Sequence, residues 1–157
     1  MGGTQFVAVS EENIMKAGYI HSESWKASHR GFCTAEFVEQ HSPSVQADYL
    51  RREINSGKKV YMLIHHHAVG IVSVFGDLIE NLYVLPTQQR KGYGSMLLEF
   101  AIQNCKESPR LWVLNTNEGA YGLYLKHGFQ KTGNQKVLKN GMYEVEMIRS
   151  VGSANKP

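Results

Sequence analysis

Short apolar runs along this chain alternate with segments in which apolar residues recur every third or fourth position. The first kind reads as strand and the second as helix. Phe6-Val7-Ala8-Val9 forms a first strand. Ser10 is placed to cap a helix running to about Ser28, with Ile14, Ala17 and Trp25 on its inner face. After Gly31-Phe32, Thr34 caps a short helix through Gln40. Ser42-Pro43 then supply the cap and first residue of a helix that ends near Gly57, with Val45, Tyr49, Leu50 and Ile54 inward. Two strands follow, Val60 to Ile64 and Val69 to Phe75, joined by His65-His66-His67-Ala68. Leu82 to Leu85 is another strand, closed by Pro86, and Met96, Leu97, Phe100, Ala101 and Ile102 recur at helical spacing. Leu111 to Leu114 reads as a short buried strand. A final hairpin pairs roughly Lys136 to Leu138 with Met142 to Ile148 around Asn140-Gly141, a strong two-residue turn signal.

The most informative segment lies between the strand at Leu82 and the helix at Met96. Residues 89 to 95 read Gln-Arg-Lys-Gly-Tyr-Gly-Ser. A strand, a basic glycine-rich turn and a helix in that order expose unpaired backbone N–H groups at the positive end of a helix, which suits an anion such as a phosphate. Gly92 and Gly94 let the backbone approach closely, and Arg90 and Lys91 add charge. A Walker loop is excluded because no Gly-Lys-Ser/Thr follows at the required spacing. A dinucleotide fingerprint is excluded because Leu97 stands where its third glycine is needed. An ordinary strand-to-helix turn has the same outline, so the loop by itself leaves both readings open.

A second motif follows about twenty-five residues on. After Leu111 to Leu114 come Asn117, Ala120, Tyr124, Gly128 and Phe129. Gly128 suits a left-handed residue just past a helix end, and Phe129 the apolar contact that accompanies it. Strand, Gln-x-x-Gly-x-Gly, helix, strand, Asn-x-x-Ala-x-x-x-Tyr and Gly-Phe, in this order, resemble the GNAT superfamily of N-acetyltransferases from Lys59 to Arg149. The resemblance implies an α/β fold: a mixed, mostly antiparallel twisted sheet with a splayed parallel strand pair, flanked by helices. It implies acetyl-CoA as co-substrate, bound along the strand at Leu82, Tyr83 and Val84. The loop residues Gln89, Arg90, Lys91, Gly92, Tyr93, Gly94 and Ser95 would hold it too, together with Asn117 and Tyr124. No metal is implied. Backbone groups near Leu82 and Val84 would pair with the pantetheine amides, and Tyr124 would protonate the departing sulfur. Glu80 is the candidate base, since strand alternation turns Glu80 and Leu82 to one face. The family's commonest acidic position in that strand falls on Leu78, and Glu80 also reads as a solvated strand-end residue. The implied reaction is N-acetylation of a primary amine of a small molecule or peptide. The alternative is a catalytically silent acyl-CoA-binding module of the same fold.

Composition narrows the field further. The 157 residues suit one acetyltransferase domain over residues 1–152, with 153–157 as a disordered tail. A net charge of +3, without a Lys/Arg stripe, gives nucleic acid little to bind. The chain has no apolar run of membrane-spanning length and no signal-peptide pattern. Cys33 and Cys105 are too few for a disulfide framework and fit the cytoplasm. A homodimer stays open. His65-His66-His67 reads as a solvated turn, because adjacent strand residues cannot all face one ion. Cys105 reads as core rather than nucleophile. Trp25, Phe32 and Phe37 are candidate walls of an acceptor pocket, with core packing as the equal reading.

Overall fold

The computed structural model describes residues 3–29, 31, 34–138 and 141–150. Its strands are β1 (Gln5–Ala8), β2 (Lys59–His65), β3 (His67–Phe75), β4 (Leu78–Val84), β5 (Arg110–Leu114), β6 (Phe129–Val137) and β7 (Tyr143–Arg149). They form one sheet in the order β1-β2-β3-β4-β5-β7-β6. Every neighbouring pair is antiparallel except β4 and β5, which are parallel and joined by a single register pair, Leu78 with Arg110. The helices are α1 (Ile14–His29), α2 (Ala35–Glu39), α3 (Pro43–Asn55), α4 (Tyr93–Gln103) and α5 (Glu118–Lys126). The expected mixed sheet with one splayed parallel pair and flanking helices is the observed architecture. None of the described helices is long and apolar enough to cross a membrane.

Helices cover the middle of the sheet on both faces. Ile71 of β3 packs with Ile14, Ala17 and Ile20 of α1 and Leu50 of α3. Its neighbours Val72 and Val74 pack with Leu97, Leu98 and Ala101 of α4. Burial on both faces is why β3 reads as a nearly continuous apolar run rather than an alternating one. Two glycines mark the closest approaches. A Cβ on Gly70 would sit 2.7 Å from Leu97 and 2.8 Å from the Tyr83 carbonyl, and one on Gly18 would sit 2.5 Å from the Pro43 carbonyl.

Four expectations need correction. First, α1 begins at Ile14, not at Ser10. Residues 11–13 form turns, and the Asn13 side chain accepts from the Ser10 N–H and donates to the Ala8 carbonyl. Second, Val45 is 47% exposed, and Gln46, Ala47 and Leu50 form the buried face of α3. Third, β6 runs from Phe129 rather than Lys136. Its side chains after Phe129 are exposed and, apart from Val137, not apolar, so it carries no apolar alternation; backbone pairing with β7 and the Thr132 and Asn134 bonds to Glu146 hold it as an edge strand. The fourth correction concerns β4. Ile71 pairs with Tyr83 but Ser73 pairs with Glu80, so two residues of β4, Asn81 and Leu82, stand against one of β3. Asn81 takes a left-handed conformation, φ 52°. This bulge shifts the alternation by one: Ile79, Leu82 and Val84 pack toward α4, while Glu80 and Tyr83 turn toward α1 and α3. Glu80 and Leu82 do not share a face.

The caps at Thr34 and Ser42 form as expected, each hydroxyl accepting a backbone N–H three residues on. Gly128 is left-handed at φ 92°, with Phe129 buried behind it. His65 and His67 belong to strands, leaving His66 at φ 69° as the turn. The tail at 153–157, Phe32, Cys33 and Asn140 of the expected hairpin turn lie outside the described residues.

Because the Gly18 Cα faces both the Pro43 carbonyl and the Ala47 methyl of α3, Gly18→Ala is expected to wedge the two helices apart. Overpacking of this kind costs about 1–3 kcal/mol. Urea denaturation should show the unfolding free energy falling by that amount, through a lower midpoint at an unchanged slope. An unaltered midpoint would mean that α1 and α3 separate freely.

Candidate functional site

The site grows from the gap between β4 and β5. At its closed end the Arg110 N–H donates to the Asp77 carbonyl at 2.9 Å, and the Arg110 guanidinium pairs with Asp77 at 3.3 Å and with Glu146 at 3.2 Å. Beyond Leu78 the strands part, while β5 stays paired along its other edge with β7. Two adjoining cavities open along the gap, of about 680 and about 400 Å³. Both are in the size range of small-molecule sites. They share Ser28, Leu82, Tyr83, Asn117, Ala120 and Tyr124.

The larger cavity is bounded by the glycine-rich loop. Gly92 sits just before α4 at φ 88°, where no side chain caps the helix, and a Cβ there would meet nothing within 4 Å. The first N–H groups of an eleven-residue helix thus face open space beside a bare backbone. Of the residues expected to bind cofactor, Leu82, Tyr83, Val84, Gln89, Arg90, Gly92, Tyr93, Gly94, Ser95, Asn117 and Tyr124 all line this cavity. Lys91 does not: its ammonium turns back to the Gln88 side chain at 3.2 Å. Several lining groups are already engaged. The Val84 carbonyl accepts from Ser24 Oγ and Gln89 Nε2, at 3.2 and 3.3 Å. Ser95 Oγ shares a hydrogen bond with His127 Nε2 at 3.2 Å, and the Asn117 side chain caps α5 by accepting the Ala120 N–H.

Tyr124 stands where the cavities meet. It is 7% exposed, and its hydroxyl makes no hydrogen bond among the described residues. Burial pushes its pKa up to about 12, so at neutral pH it is a phenol with a proton to give. Ala120, one helical turn before it, and Asn117, the residue that caps α5, hold the start of that helix against the gap.

The smaller cavity lies on the face that the bulge gives to Glu80 and Tyr83. Glu80 accepts from Lys58 Nζ at 2.8 Å, and Lys58 also binds Glu53 at 2.6 Å. Burial alone would lower the Lys58 pKa, but these two carboxylates outweigh it and hold it above the ordinary value. Residues that the sequence did not single out complete the walls: Tyr49 of α3, Trp112 of β5, Lys136 of β6 and Glu144 of β7. Burial, with a contribution from Glu80, holds the Glu144 carboxyl above the usual range against the opposing Lys136. Lys136 Nζ lies 4.1 Å from the Trp112 ring centroid, a cation–π contact. Trp25 lines the cavity and is sandwiched between the imidazoles of His29 and His41, at 3.9 and 3.6 Å. Phe37 does not reach the cavity and touches it only through the Trp25 ring, at 5.7 Å. Cys105 stands apart, partly buried against the α4 core, with its thiol pushed up to about 11 by burial. It is not a thiolate at neutral pH.

Asn81 ties the bulge to three elements. Its side-chain oxygen accepts from His21 Nε2 at 3.3 Å and from the Tyr49 hydroxyl at 3.4 Å, and its amide donates to Ser73 Oγ at 3.0 Å. Accepting from Nε2 requires a neutral His21 or its cation. Burial, the largest influence, decides for the neutral ring by lowering its pKa to about 4.

Residues 6–151 match a family described as Acetyltransferase (GNAT) domain. No curated protein matches the chain. Solved structures share its fold. The PaiA N-acetyltransferase of Thermoplasma acidophilum, solved in complex with coenzyme A, is 20% identical with TM-score 0.69, covering 92% of this chain and 98% of that one. Apo YjaB from Escherichia coli is 21% identical with TM-score 0.72, covering 93% and 97%. A GNAT-family acetyltransferase from Bacillus cereus is 16% identical with TM-score 0.72, covering 95% and 98%.

The buried His21 gives the bulge a pH dependence of known sign. Its pKa is near 6.5 when unfolded and about 4 when folded. The stability it contributes is full above about pH 6.5 and is lost as pH falls toward 4, on the order of 3 kcal/mol in total. His21→Gln should flatten this part of the stability profile relative to the parent in urea titrations at stepped pH. Parallel profiles for the two proteins would show that His21 titrates normally in the fold.

Proposed function

The chain belongs to the GNAT acetyltransferase family, and from that premise we propose that it moves an acetyl group from acetyl-CoA to the primary amine of a small molecule or peptide by direct attack. The observation that carries this reading is the buried Tyr124 phenol at the junction of two cavities along the β4–β5 gap. One cavity has the bare, uncapped helix start that a pyrophosphate needs. The other has the carboxylates that an ammonium needs.

The residues fit coenzyme A. Gly92 leaves open space in front of the α4 N–H groups, Arg90 stands in the same wall, and the exposed Lys91 adds charge nearby. Leu82, Tyr83 and Val84 run along the parted edge of β4, where backbone groups are free of β5 and face a pantetheine arm, the Val84 carbonyl once Ser24 or Gln89 gives way. Bound there, acetyl-CoA would supply an activated thioester carbonyl and a thiol leaving group. Tyr124 then holds a proton at the point where sulfur departs. Glu80, fixed by Lys58, adds a negative wall that attracts the ammonium form of the acceptor. Free Cys105 suits a reducing, cytoplasmic setting.

Two measurements test this reading. Gly92→Ala adds a methyl that meets no protein atom within 4 Å but crowds the phosphate approach and strains the left-handed backbone in front of the α4 N–H groups. Calorimetry should show acetyl-CoA affinity falling about fivefold or more, equivalent to about 1 kcal/mol. Unchanged affinity in the folded variant would remove the phosphate assignment. Tyr124→Phe keeps the ring and deletes only the proton. Coenzyme A release on the best amine from a screened panel should drop about ten- to a thousandfold, with acetyl-CoA affinity nearly intact. Wild-type turnover in that variant would make Tyr124 a packing residue. Binding without turnover on any amine would leave the acyl-CoA-binding module as the better description.

A further inference from the structure

We propose that Glu144 is the carboxylate that meets the acceptor amine: it pairs with the incoming ammonium and takes its proton before attack. This deepens the acetyl-transfer reading and rests on it. Glu144 stands on β7, paired across to Leu114 of β5 on one side and Lys136 of β6 on the other. Its side chain enters the cavity that Tyr124 closes.

The decisive contrast is with the other carboxylates nearby. Glu80 is held by Lys58, Glu53 by Lys58 and Tyr49, and Glu146 by Arg110, Thr132 and Asn134. Glu144 makes no side-chain hydrogen bond and no ion pair among the described residues. Its cross-strand neighbour Lys136 acts on it only through space, with the ammonium lying over the Trp112 ring rather than bonded to the carboxylate. A half-buried carboxylate without a partner is destabilising in the free protein, so the arrangement is stable only to the extent that a cation completes it. An ammonium entering the cavity does so.

The groups facing Glu144 set its basicity. Lys136 of β6 favours the carboxylate. Burial opposes it, as does Glu80 of β4; Tyr83 of β4, Tyr124 of α5, Tyr49 of α3 and His29 of α1 line the same cavity. Burial outweighs Lys136, so the balance moves toward the neutral range in which a base works best. Glu80 is already bonded to Lys58, so it is the less available carboxylate.

The protons balance as follows. One proton of the ammonium passes to Glu144 and then to water. The nitrogen lone pair forms the N–C bond as the thioester C–S bond breaks, and sulfur takes the phenolic proton of Tyr124. The second proton leaving nitrogen restores the phenol. The products are an amide, a thiol and one proton.

Steady-state kinetics across pH, using the primary amine turned over fastest from a panel of alkyl- and arylalkylamines, tests the assignment. Glu144→Gln should lower kcat/KM for the amine about tenfold or more at neutral pH, with recovery at high pH where free amine is abundant. Glu144→Asp should keep the wild-type pH limb, and Glu80→Gln should weaken amine binding with that limb retained. Calorimetry should show acetyl-CoA affinity unchanged in Glu144→Gln, and amine affinity reduced when coenzyme A is present. An active wild type with an unaltered pH profile in Glu144→Gln overturns the Glu144 assignment alone. Loss of the pH limb in Glu80→Gln instead returns the base to Glu80. A wild type that acetylates none of the amines overturns the acetyl-transfer reading and this assignment with it.

Discussion

Asn81 holds a backbone conformation that side-chain-bearing residues seldom adopt, and the rest of the site is arranged around it. A left-handed residue inside a strand interrupts the pleat and sets two residues of β4 against one of β3. Asparagine tolerates this better than most residues, since its short polar side chain can bond locally. Here that side chain bonds to His21 of α1, Tyr49 of α3 and Ser73 of β3, so the strain is fixed by three separate elements. A neutral His21, buried at 5% exposure, is part of that fixing. Because of the shift, Leu82 and Val84 pack toward α4, and Glu80 and Tyr83 face α1, α3 and the smaller cavity. Without it, Glu80 would project to the α4 side.

Charge is divided between the two cavities. Arg90 and the helix start make the loop end positive, while around the other end Glu53, Glu80 and Glu144 outnumber Lys58 and Lys136. Tyr124, neutral and deeply buried, lies between them. An anionic cofactor and a cationic acceptor would therefore be drawn to opposite ends and meet at an uncharged proton donor. The chain's small net charge conceals this local separation, which only the folded arrangement reveals.

Much of the architecture was legible in the sequence because it rests on local signals. Caps at Thr34 and Ser42, the left-handed Gly128 and the apolar runs of β2, β3 and β5 each depend on near neighbours in the chain. The glycine loop and Tyr124 were legible through motif spacing. What escaped depended on distant partners. Strand β6 has exposed and, apart from Val137, not apolar side chains after Phe129 and exists through its bonds to β7, so no periodicity announces it. The bulge at Asn81 was hidden because alternation assumes an unbroken ladder, and asparagine between apolar residues carries no signature of its own. Glu144 looked like any alternating surface residue of a hairpin. Only the cavity formed with β4, α1 and α5 distinguishes it from Glu146, two residues on and fully paired.

The elevated Tyr124 pKa constrains how the proposed transfer can proceed. A phenol near pKa 12 facing a thiol of ordinary cysteine-like pKa, about 8.5, gives up its proton uphill by roughly 5 kcal/mol if transfer is complete and unassisted. In the proposed transfer Tyr124 would therefore act first as a hydrogen-bond donor that stabilises negative charge on sulfur. Its proton would move fully only as the nitrogen, made strongly acidic by acylation, returns one. Coupling the two transfers removes the need for a free phenolate in a buried site, where its charge would be costly. The same coupling explains why a buried, unpaired tyrosine is useful here. A solvated phenol would exchange with bulk water, whereas Tyr124 would exchange chiefly with whatever fills the two cavities that meet at it.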